Sequence, residues 1–307
     1  MRPSLILCLL LAGCADKPMA PGAKALEDSL GLDPAAAEGA FDRALAGDPK
    51  DALALNWRGR MKLDRLDFQG AADDFGAALK LDPGLAAAWY NRGNVRIDLG
   101  DHLGALADLK EAARLDPGLT GAPYSAGVVK LAMGDCIGAQ EAFAIAFNAE
   151  SWLIQSLLKR GEAFSCLGDP VEAVGLFDKM IKYEPASFSA RVSRAGAKRE
   201  LLDYAGAVED YAEVIRMAPD LVLGYQARAQ ALDDSQREEA ALLDLDKAVS
   251  IEPEDGRLYE ARGHVRYHLK RYAAAVADWE AAKRLNPRRG RNLEAYIDYA
   301  RKKAKGG

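Results

Sequence analysis

The chain has 307 residues, of which 50% are hydrophobic and 28% are charged, and its formal net charge is -5. Proteins whose main task is to bind nucleic acid or an anionic membrane surface concentrate an excess of Lys and Arg. The acidic balance therefore argues against nucleic acid as a partner, and the abundance of alanine favours closely packed helices.

The first 14 residues read as a targeting segment, with Arg2 followed by an apolar run over 5–11 that is too short to span a bilayer. The stretch Leu-Ala-Gly-Cys at 11–14 resembles the bacterial lipobox, in which the signal is cut before the cysteine and the thiol receives a diacylglycerol. This resemblance implies a signal peptide over 1–13, a lipidated Cys14 and a flexible tether over 14–24. The alternatives are an ordinary secretory signal with an incidental cysteine, or an apolar N-terminal helix.

In the Gram-negative lipoproteins that this stretch resembles, an Asp directly after the cysteine favours retention in the inner membrane. The residue after Cys14 is Ala15, so the resemblance implies an anchor at the outer membrane, facing the periplasm. The lipid would then be the only contact with the membrane. No other segment is predicted to enter the bilayer.

A period of 34 residues governs the rest of the chain. Ser151 occupies the one position of this series that lacks a proline. Seven prolines stand at the others: Pro49, Pro83, Pro117, Pro185, Pro219, Pro253 and Pro287. This period predicts seven repeats without insertions, at 52–85, 86–119, 120–153, 154–187, 188–221, 222–255 and 256–289.

Fixed columns within the period show how the repeats would pack. The eighth position is always Gly or Ala and the twentieth is always Ala, which lets two helices approach closely. The twenty-fourth position is always large and apolar, and we expect it to fill the space between neighbouring repeats: Phe75, Leu109, Phe143, Phe177, Tyr211, Leu245 and Trp279.

One unit, 86–119, illustrates the predicted hairpin. A first helix runs to Leu99, Gly100 and Asp101 make the turn, and a second helix ends before Pro117. Its residues Trp89, Gly93, Leu99, Gly100, Ala105, Ala112 and Pro117 resemble the tetratricopeptide repeat (TPR) position by position. The resemblance implies an all-α fold, a right-handed superhelical solenoid of helical hairpins.

Both ends of the array are predicted to be closed. Residues 25–51 read as a partial repeat, with a stunted first helix near 25–30 and a full second helix. Residues 290–307 read as a capping helix with a basic tail, in which Leu293, Tyr296, Ile297 and Ala300 form one apolar stripe. We expect the basic residues to be a solvated C-terminus, with a docking patch as the alternative.

The resemblance also implies a concave groove lined by the first helices, where a protein or peptide would bind. In the N-terminal half it assigns to this groove Asn56, Trp57, Arg60, Tyr90, Asn91, Asn94, Tyr124, Ser125 and Val128. Further along it assigns Lys159, Glu162, Arg199, Glu200, Gln226, Gln230, Arg257, Glu260, His264 and Tyr267. Aromatic rings with side-chain amides suit an extended peptide or a docked helix. The lysines of the family's carboxylate clamp do not accompany Asn91 and Asn94.

Two further patterns concern stability. Cys136 and Cys166 would be the remaining thiols in an oxidising compartment, and the family's stacking places them on one edge; a disulfide and two separate small core residues stay equal alternatives. Arg at position seven recurs with Asp at position twenty-three, which predicts structural ion pairs: Arg58/Asp74, Arg92/Asp108, Arg194/Asp210, Arg228/Asp244 and Arg262/Asp278. The third repeat loses both members together, at Ala126 and Ala142, and the fourth keeps Arg160 opposite Leu176.

No motif for catalysis, a cofactor or a metal is recognisable in the sequence. His264 and His268 are spaced i, i+4 but lack the glutamate of the zinc-protease motif, so we expect solvated surface histidines. The sequence therefore predicts a non-enzymatic envelope lipoprotein that binds proteins or peptides as an adaptor or scaffold, in cell-wall remodelling or in pilus or secretion assembly. The alternative is a self-assembling, homo-oligomeric lipoprotein subunit.

Overall fold

The computed structural model describes residues 21–29, 33–149 and 154–306, and every regular element in these ranges is helical. The helices are α1 (Pro21–Ser29), α2 (Pro34–Gly47), α3 (Ala52–Asp64), α4 (Phe68–Leu81), α5 (Ala86–Asp98), α6 (His102–Leu115), α7 (Gly121–Ala132), α8 (Cys136–Ala149), α9 (Gln155–Cys166), α10 (Pro170–Tyr183), α11 (Phe188–Glu200), α12 (Tyr204–Met217), α13 (Val222–Asp234), α14 (Glu238–Ile251), α15 (Gly256–His268), α16 (Tyr272–Leu285), α17 (Pro287–Gly290) and α18 (Glu294–Gly306). A 3-10 turn, Arg291–Leu293, joins the last two.

The chain divides into two compact units, Met1–Glu150 and Ser151–Gly307. In each unit consecutive helices pair into hairpins, and the second helix of one hairpin packs on the first helix of the next. The first helices of the repeats begin at Ala52, Ala86, Phe188, Val222 and Gly256, the opening residues of their predicted repeats, and α7 and α9 begin one residue later. The expected all-α class, a stack of tetratricopeptide-like hairpins, is confirmed.

The turn inside each hairpin is built from two adjacent positions. The first adopts a left-handed backbone conformation, which glycine accepts without steric cost, as at Gly100 with φ +79°. The second is often an aspartate that caps the second helix: the Asp101 carboxylate accepts a hydrogen bond of 3.0 Å from the backbone N–H of Gly104. A side chain at Gly104 would collide with that carboxylate, so the cap and the glycine at this place belong together.

The core of each hairpin is a large side chain placed over a glycine or alanine. Gly59 lies so close to the Phe75 ring that a Cβ atom there would be 2.7 Å from Cε1. Phe75 also packs with Val95 of the next repeat, as the twenty-fourth column predicts. Small residues at position eight thus let the two helices approach, and the ring opposite fills the joint between repeats.

Both ends differ in detail from the sequence prediction. Helix α1 begins at Pro21, so the tether predicted over 14–24 is wrong for its last four residues. The reason is local packing: the Gly22 N–H donates a 2.7 Å hydrogen bond to Asp51, and Ala25 is buried beside Phe41. Residues 1–20, including the predicted signal peptide, Cys14 and the rest of the tether, lie outside the described residues.

At the C-terminal end, Leu293 of the 3-10 turn and Ile297 and Ala300 of α18 pack on α16, and all three are buried. Tyr296 of the predicted apolar stripe is 52% exposed, yet its ring packs against Trp279 of α16 at 5.8 Å between centroids. None of the described helices is long and apolar enough to cross a membrane.

Candidate functional site

A hollow of about 530 Å³ lies between α13 and α15, the first helices of two adjacent repeats in the C-terminal unit. Its lining residues on each helix recur at three- and four-residue spacing, because such positions share one helix face. They are Leu223, Gln226, Ala227, Ala229, Gln230 and Asp233 from α13, and Ala261, His264, Val265 and His268 from α15, with Leu245 below.

Small apolar side chains form the floor of this hollow. Ala229, Leu245 and Val265 are buried and pack as one cluster, with Ala261 against them. Alanine at 227 and 261 leaves open the space that longer side chains would fill. The floor therefore offers an apolar surface recessed below a polar rim, which is how ligand hollows are usually built.

The rim carries amide and charged groups. Gln230 donates a 2.9 Å hydrogen bond from Nε2 to Asp234, and His268 Nδ1 lies 3.1 Å from an oxygen of Asp233. The side-chain amide of Gln226 makes no hydrogen bond with a described residue. It therefore presents both a donor and an acceptor, the pair of groups that a peptide backbone requires.

His264 is not the solvated surface histidine that the sequence predicted. Its ring is half-buried and packs edge-on against Trp279, at 5.3 Å between centroids, and against Tyr296, at 5.5 Å. Burial lowers the pKa of His264, so the ring is neutral at neutral pH. His268 is exposed as expected, and no group of His, Cys, Asp or Glu in the described ranges has the arrangement of a metal site.

In the N-terminal unit, two of the predicted groove amides are engaged with each other. Asn56 is buried, and its side-chain oxygen accepts a 3.0 Å hydrogen bond from the amide of Asn91 in the next repeat. The prediction that Asn56 lines an open groove is therefore wrong: the residue joins two repeats. Asn94 is half-buried and forms no hydrogen bond with a described residue, so it stays available.

The predicted groove aromatics are partly committed to packing. Trp57 stacks on Phe41 at 6.5 Å between centroids, and the Arg60 guanidinium lies 4.4 Å above its ring. Tyr90 contacts the backbone at Gly121, where a Cβ atom would approach its hydroxyl oxygen to 2.7 Å. Both rings are thus held in place by their neighbours.

The remaining predicted groove residues of the N-terminal half lie on α7. Tyr124 meets Phe143 edge to face at 5.6 Å, and both Ser125 and Val128 are half-buried. None of these observations tests whether a ligand binds there, so the assignment of these three residues to the groove stays a prediction.

All five predicted ion pairs are present, and in each the arginine donates hydrogen bonds from two nitrogens to a buried aspartate: Arg58/Asp74, Arg92/Asp108, Arg194/Asp210, Arg228/Asp244 and Arg262/Asp278. In Arg228/Asp244, Nε and Nη2 donate bonds of 2.7 and 2.6 Å. The hydrogen bond that Arg228 donates to Asp244 raises the pKa of Arg228. Each pair joins the two helices of one hairpin. Its charged groups bind each other, which indicates a structural role.

Four of these aspartates also contact a second cation, which the sequence prediction of ion pairs did not include. That cation stands four residues after the arginine, one turn further along the same helix. The added contacts are Lys62 with Asp74, Arg96 with Asp108, Lys198 with Asp210 and Arg266 with Asp278. The physical reason is burial: Asp74, Asp210 and Asp278 are only 5%, 3% and 3% exposed, so their charge is compensated by protein cations instead of water.

An aspartate of the preceding repeat enlarges three of these clusters further. It lies 16 residues before the arginine and contacts the same guanidinium: Asp42 with Arg58, Asp178 with Arg194 and Asp246 with Arg262. Sequence reasoning missed both the second cations and these carboxylates. Each is visible as a column of the 34-residue alignment, at i+4 and i-16 from the arginine.

Cys136 is the first residue of α8 and Cys166 is the last residue of α9. They belong to different compact units, so the bridge between them stays a prediction.

The fold and these surfaces define the class: a protein of stacked helical hairpins, whose first helices present ligand-sized hollows. Within that class, the chain is similar to the tetratricopeptide repeat family: a sequence profile described as "Tetratricopeptide repeat" matches residues 62–120. No curated protein matches the chain.

Solved structures of tetratricopeptide proteins share the fold. One from Parabacteroides merdae covers 80% of this chain and 98% of its own length, at 19% identity and a TM-score of 0.57. The C-terminal part of a repeat protein from Cytophaga hutchinsonii covers 75% and 94%, at 14% identity and a TM-score of 0.65. YrrB, described as a TPR protein with an unusual peptide-binding site, covers 61% and 96%, at 22% identity and a TM-score of 0.52.

Proposed function

We propose that this chain is a non-enzymatic scaffold that binds an extended peptide segment of a partner protein in the hollow between α13 and α15. The observation that carries the proposal is the combination of an apolar floor with the unengaged amide of Gln226 above it. An apolar side chain of the ligand would be buried on the floor, while the amide satisfies its backbone. The peptide-binding site named for YrrB is in keeping with this use of the fold.

The hollow has the chemical groups that are needed to bind a peptide backbone. Around it, Gln226 and Gln230 supply donors and acceptors without net charge, and the neutral ring of His264 adds one more of each. Asp233, beside His268, is the carboxylate of this rim. We therefore expect recognition of an extended backbone with a small or medium apolar side chain, and weak dependence on salt.

Selection of binders from a random peptide library against the full chain tests this proposal. The selected peptides should lose affinity by about tenfold or more when Gln226→Ala and Ala261→Leu are introduced, the first removing the amide and the second filling the floor. Lys179→Ala, an exposed change on α10 outside the hollow, is the matched control. Peptides that bind Gln226→Ala, Ala261→Leu and Lys179→Ala with equal affinity would refute the site.

We further propose that the chain is an envelope lipoprotein, held by a lipid on Cys14 at the outer membrane and facing the periplasm. The lipobox-like stretch at 11–14 supports this location, and the acidic body of the protein agrees with a lipid-only contact with an anionic bilayer. Metabolic labelling with an alkyne fatty acid should mark the wild-type chain and not Cys14→Ser. Equal labelling of both proteins would show that Cys14 does not carry the lipid.

One surface supports the second candidate, self-assembly of the chain. On α6 and α8, Leu103, Ile137 and Ile145 are all more than half exposed, and Met133 adds to the same unit. Large apolar side chains left in water favour association. Sedimentation of the wild type and of Ile137→Lys distinguishes the two candidates: an oligomer that Ile137→Lys dissolves favours self-assembly, and a monomer in both cases excludes it.

A further inference from the structure

Three tyrosines enclose a recess at the end of the C-terminal unit. Tyr267 of α15 and Tyr296 and Tyr299 of α18 line a hollow of about 270 Å³, with Ala295 completing it. Tyr296 and Tyr299 are 52% and 51% exposed. Helix α18 therefore contributes a binding wall as well as closing the core of the last repeat.

The rings are held in place by one another. Tyr267 lies 5.9 Å from Trp279 and 6.3 Å from Tyr299, measured between centroids, and Tyr296 lies 5.8 Å from Trp279. Trp279 is fully buried, so the cluster rests on a fixed base. A recess whose walls are already ordered requires little rearrangement to accept an apolar side chain.

Lysines border one side of this recess. Lys303 lies 5.6 Å above the Tyr299 ring, and with Lys270, Arg271 and Tyr272 it lines an adjoining hollow of about 530 Å³. Lys302 and Lys305 on α18 are exposed as well, and neither they nor Lys303 form an ion pair with a described residue. Within a chain of net charge -5, this is a locally basic surface beside an aromatic recess.

We propose that this surface, the tyrosine recess with the lysines of α18, binds an acidic peptide segment that carries one aromatic anchor residue. The anchor enters between Tyr267, Tyr296 and Tyr299, and carboxylates on either side of it face Lys303 and Lys270. The complementary charges select the acidic segment, and the ring cluster selects the anchor. The inference rests on the proposed function of holding peptide segments, and it adds a second, chemically distinct subsite on the same unit.

Fluorescence anisotropy on the full chain tests it with a fluorescein-labelled peptide in which one tryptophan lies among aspartates and glutamates. We expect binding that weakens with salt and that falls by about tenfold or more in Tyr299→Ala. Tyr183→Ala, which removes a 61% exposed tyrosine of α10, is the matched control and should bind like the wild type. The triple variant Lys302→Glu/Lys303→Glu/Lys305→Glu changes only exposed side chains and should weaken binding and remove most of its salt dependence.

Two changes on the peptide leave the protein's folding untouched. Replacing the tryptophan by alanine, or the acids by their amides, should each cost about tenfold in affinity. The proposal is overturned if Tyr299→Ala and Tyr183→Ala bind alike, or if the alanine peptide binds as well as the tryptophan peptide. It is also overturned if phosphatidylglycerol vesicles or a single-stranded oligonucleotide displace the peptide completely while Tyr299→Ala has no effect on peptide binding.

Failure here is distinguishable from failure of the α13/α15 hollow. Loss of library-selected binding in Gln226→Ala with no effect of Tyr299→Ala on the acidic peptide would leave the proposed function intact and remove this subsite. The reverse pattern would move peptide recognition to the C-terminal end.

Discussion

The buried aspartates differ in how many cations hold them, and this difference predicts unequal responses to the same substitution. Asp108 is held by Arg92 and, at 2.8 Å, by Arg96. Asp244 is held by Arg228, and Leu232 stands where other repeats place the second cation. Removing the guanidinium by Arg228→Met leaves Asp244 buried without its partner, whereas Arg92→Met leaves Asp108 paired with Arg96.

The magnitudes follow from burial. The arginine side chains are 25% exposed at 228 and 17% at 92, and both aspartates are buried, so solvent screens these pairs only in part. Leaving a buried charge without its partner costs about 3–5 kcal/mol, whereas losing charge-assisted hydrogen bonds while a second cation remains costs about 1–2 kcal/mol. Methionine keeps the aliphatic stem, so the comparison isolates the charge.

Native-state hydrogen exchange read by mass spectrometry is the suitable assay, because repeat arrays unfold in parts. Exchange of α13 and α14 in Arg228→Met should rise about 30-fold more than exchange of α5 and α6 in Arg92→Met, from a difference of about 2 kcal/mol. The double change Arg228→Met/Asp244→Leu should recover most of the protection, as the joint absence of the charges in the third repeat indicates. Equal losses in the two single variants, or no recovery in the double, would refute the reasoning.

Two substitutions and one thiol titration test local structure. Gly127→Ala would place a methyl group 2.7 Å from Phe143, so thermal unfolding should show a loss of about 1–3 kcal/mol; an unchanged midpoint contradicts the close approach. Leu66 is 73% exposed with φ +63°, so Leu66→Gly should leave stability unchanged or raise it by up to about 1 kcal/mol in urea unfolding, and a clear loss would show that its side chain packs. Thiol titration of the unfolded, unreduced protein decides the bridge between Cys136 and Cys166: two free thiols there exclude it.

The repeat architecture was predictable because its determinants are local and periodic. A glycine over a ring, as in Gly59 and Phe75, and an aspartate cap beside a left-handed glycine, as in Asp101 and Gly100, recur at fixed spacing. The paired charges were predictable for the same reason, since an arginine and its aspartate are kept or lost together in every repeat but the fourth, which keeps Arg160 opposite Leu176. Residues that act once per repeat leave a column in the sequence.

The candidate site was harder to predict because it depends on side chains that are particular to single repeats. The hollow between α13 and α15 exists where alanines 227 and 261 leave room, and the burial of His264 depends on Tyr296, which lies outside the repeat frame. Asn56 looked like a ligand-binding amide, yet its partner is Asn91, 35 residues away. Position in the repeat indicates which face a residue occupies, but the neighbour on that face decides whether it is free.

The measurement that bears most directly on the central claim is site-specific photo-crosslinking in intact cells. A benzoyl-phenylalanine residue at Gln226, on the rim of the hollow, should form a covalent adduct with a partner protein, and the adduct should disappear when Ala261→Leu fills the floor. The same residue at Lys179, exposed on α10, should form none. Equal adducts at both places, or an adduct at Gln226 that is indifferent to Ala261→Leu, would contradict a peptide-binding hollow.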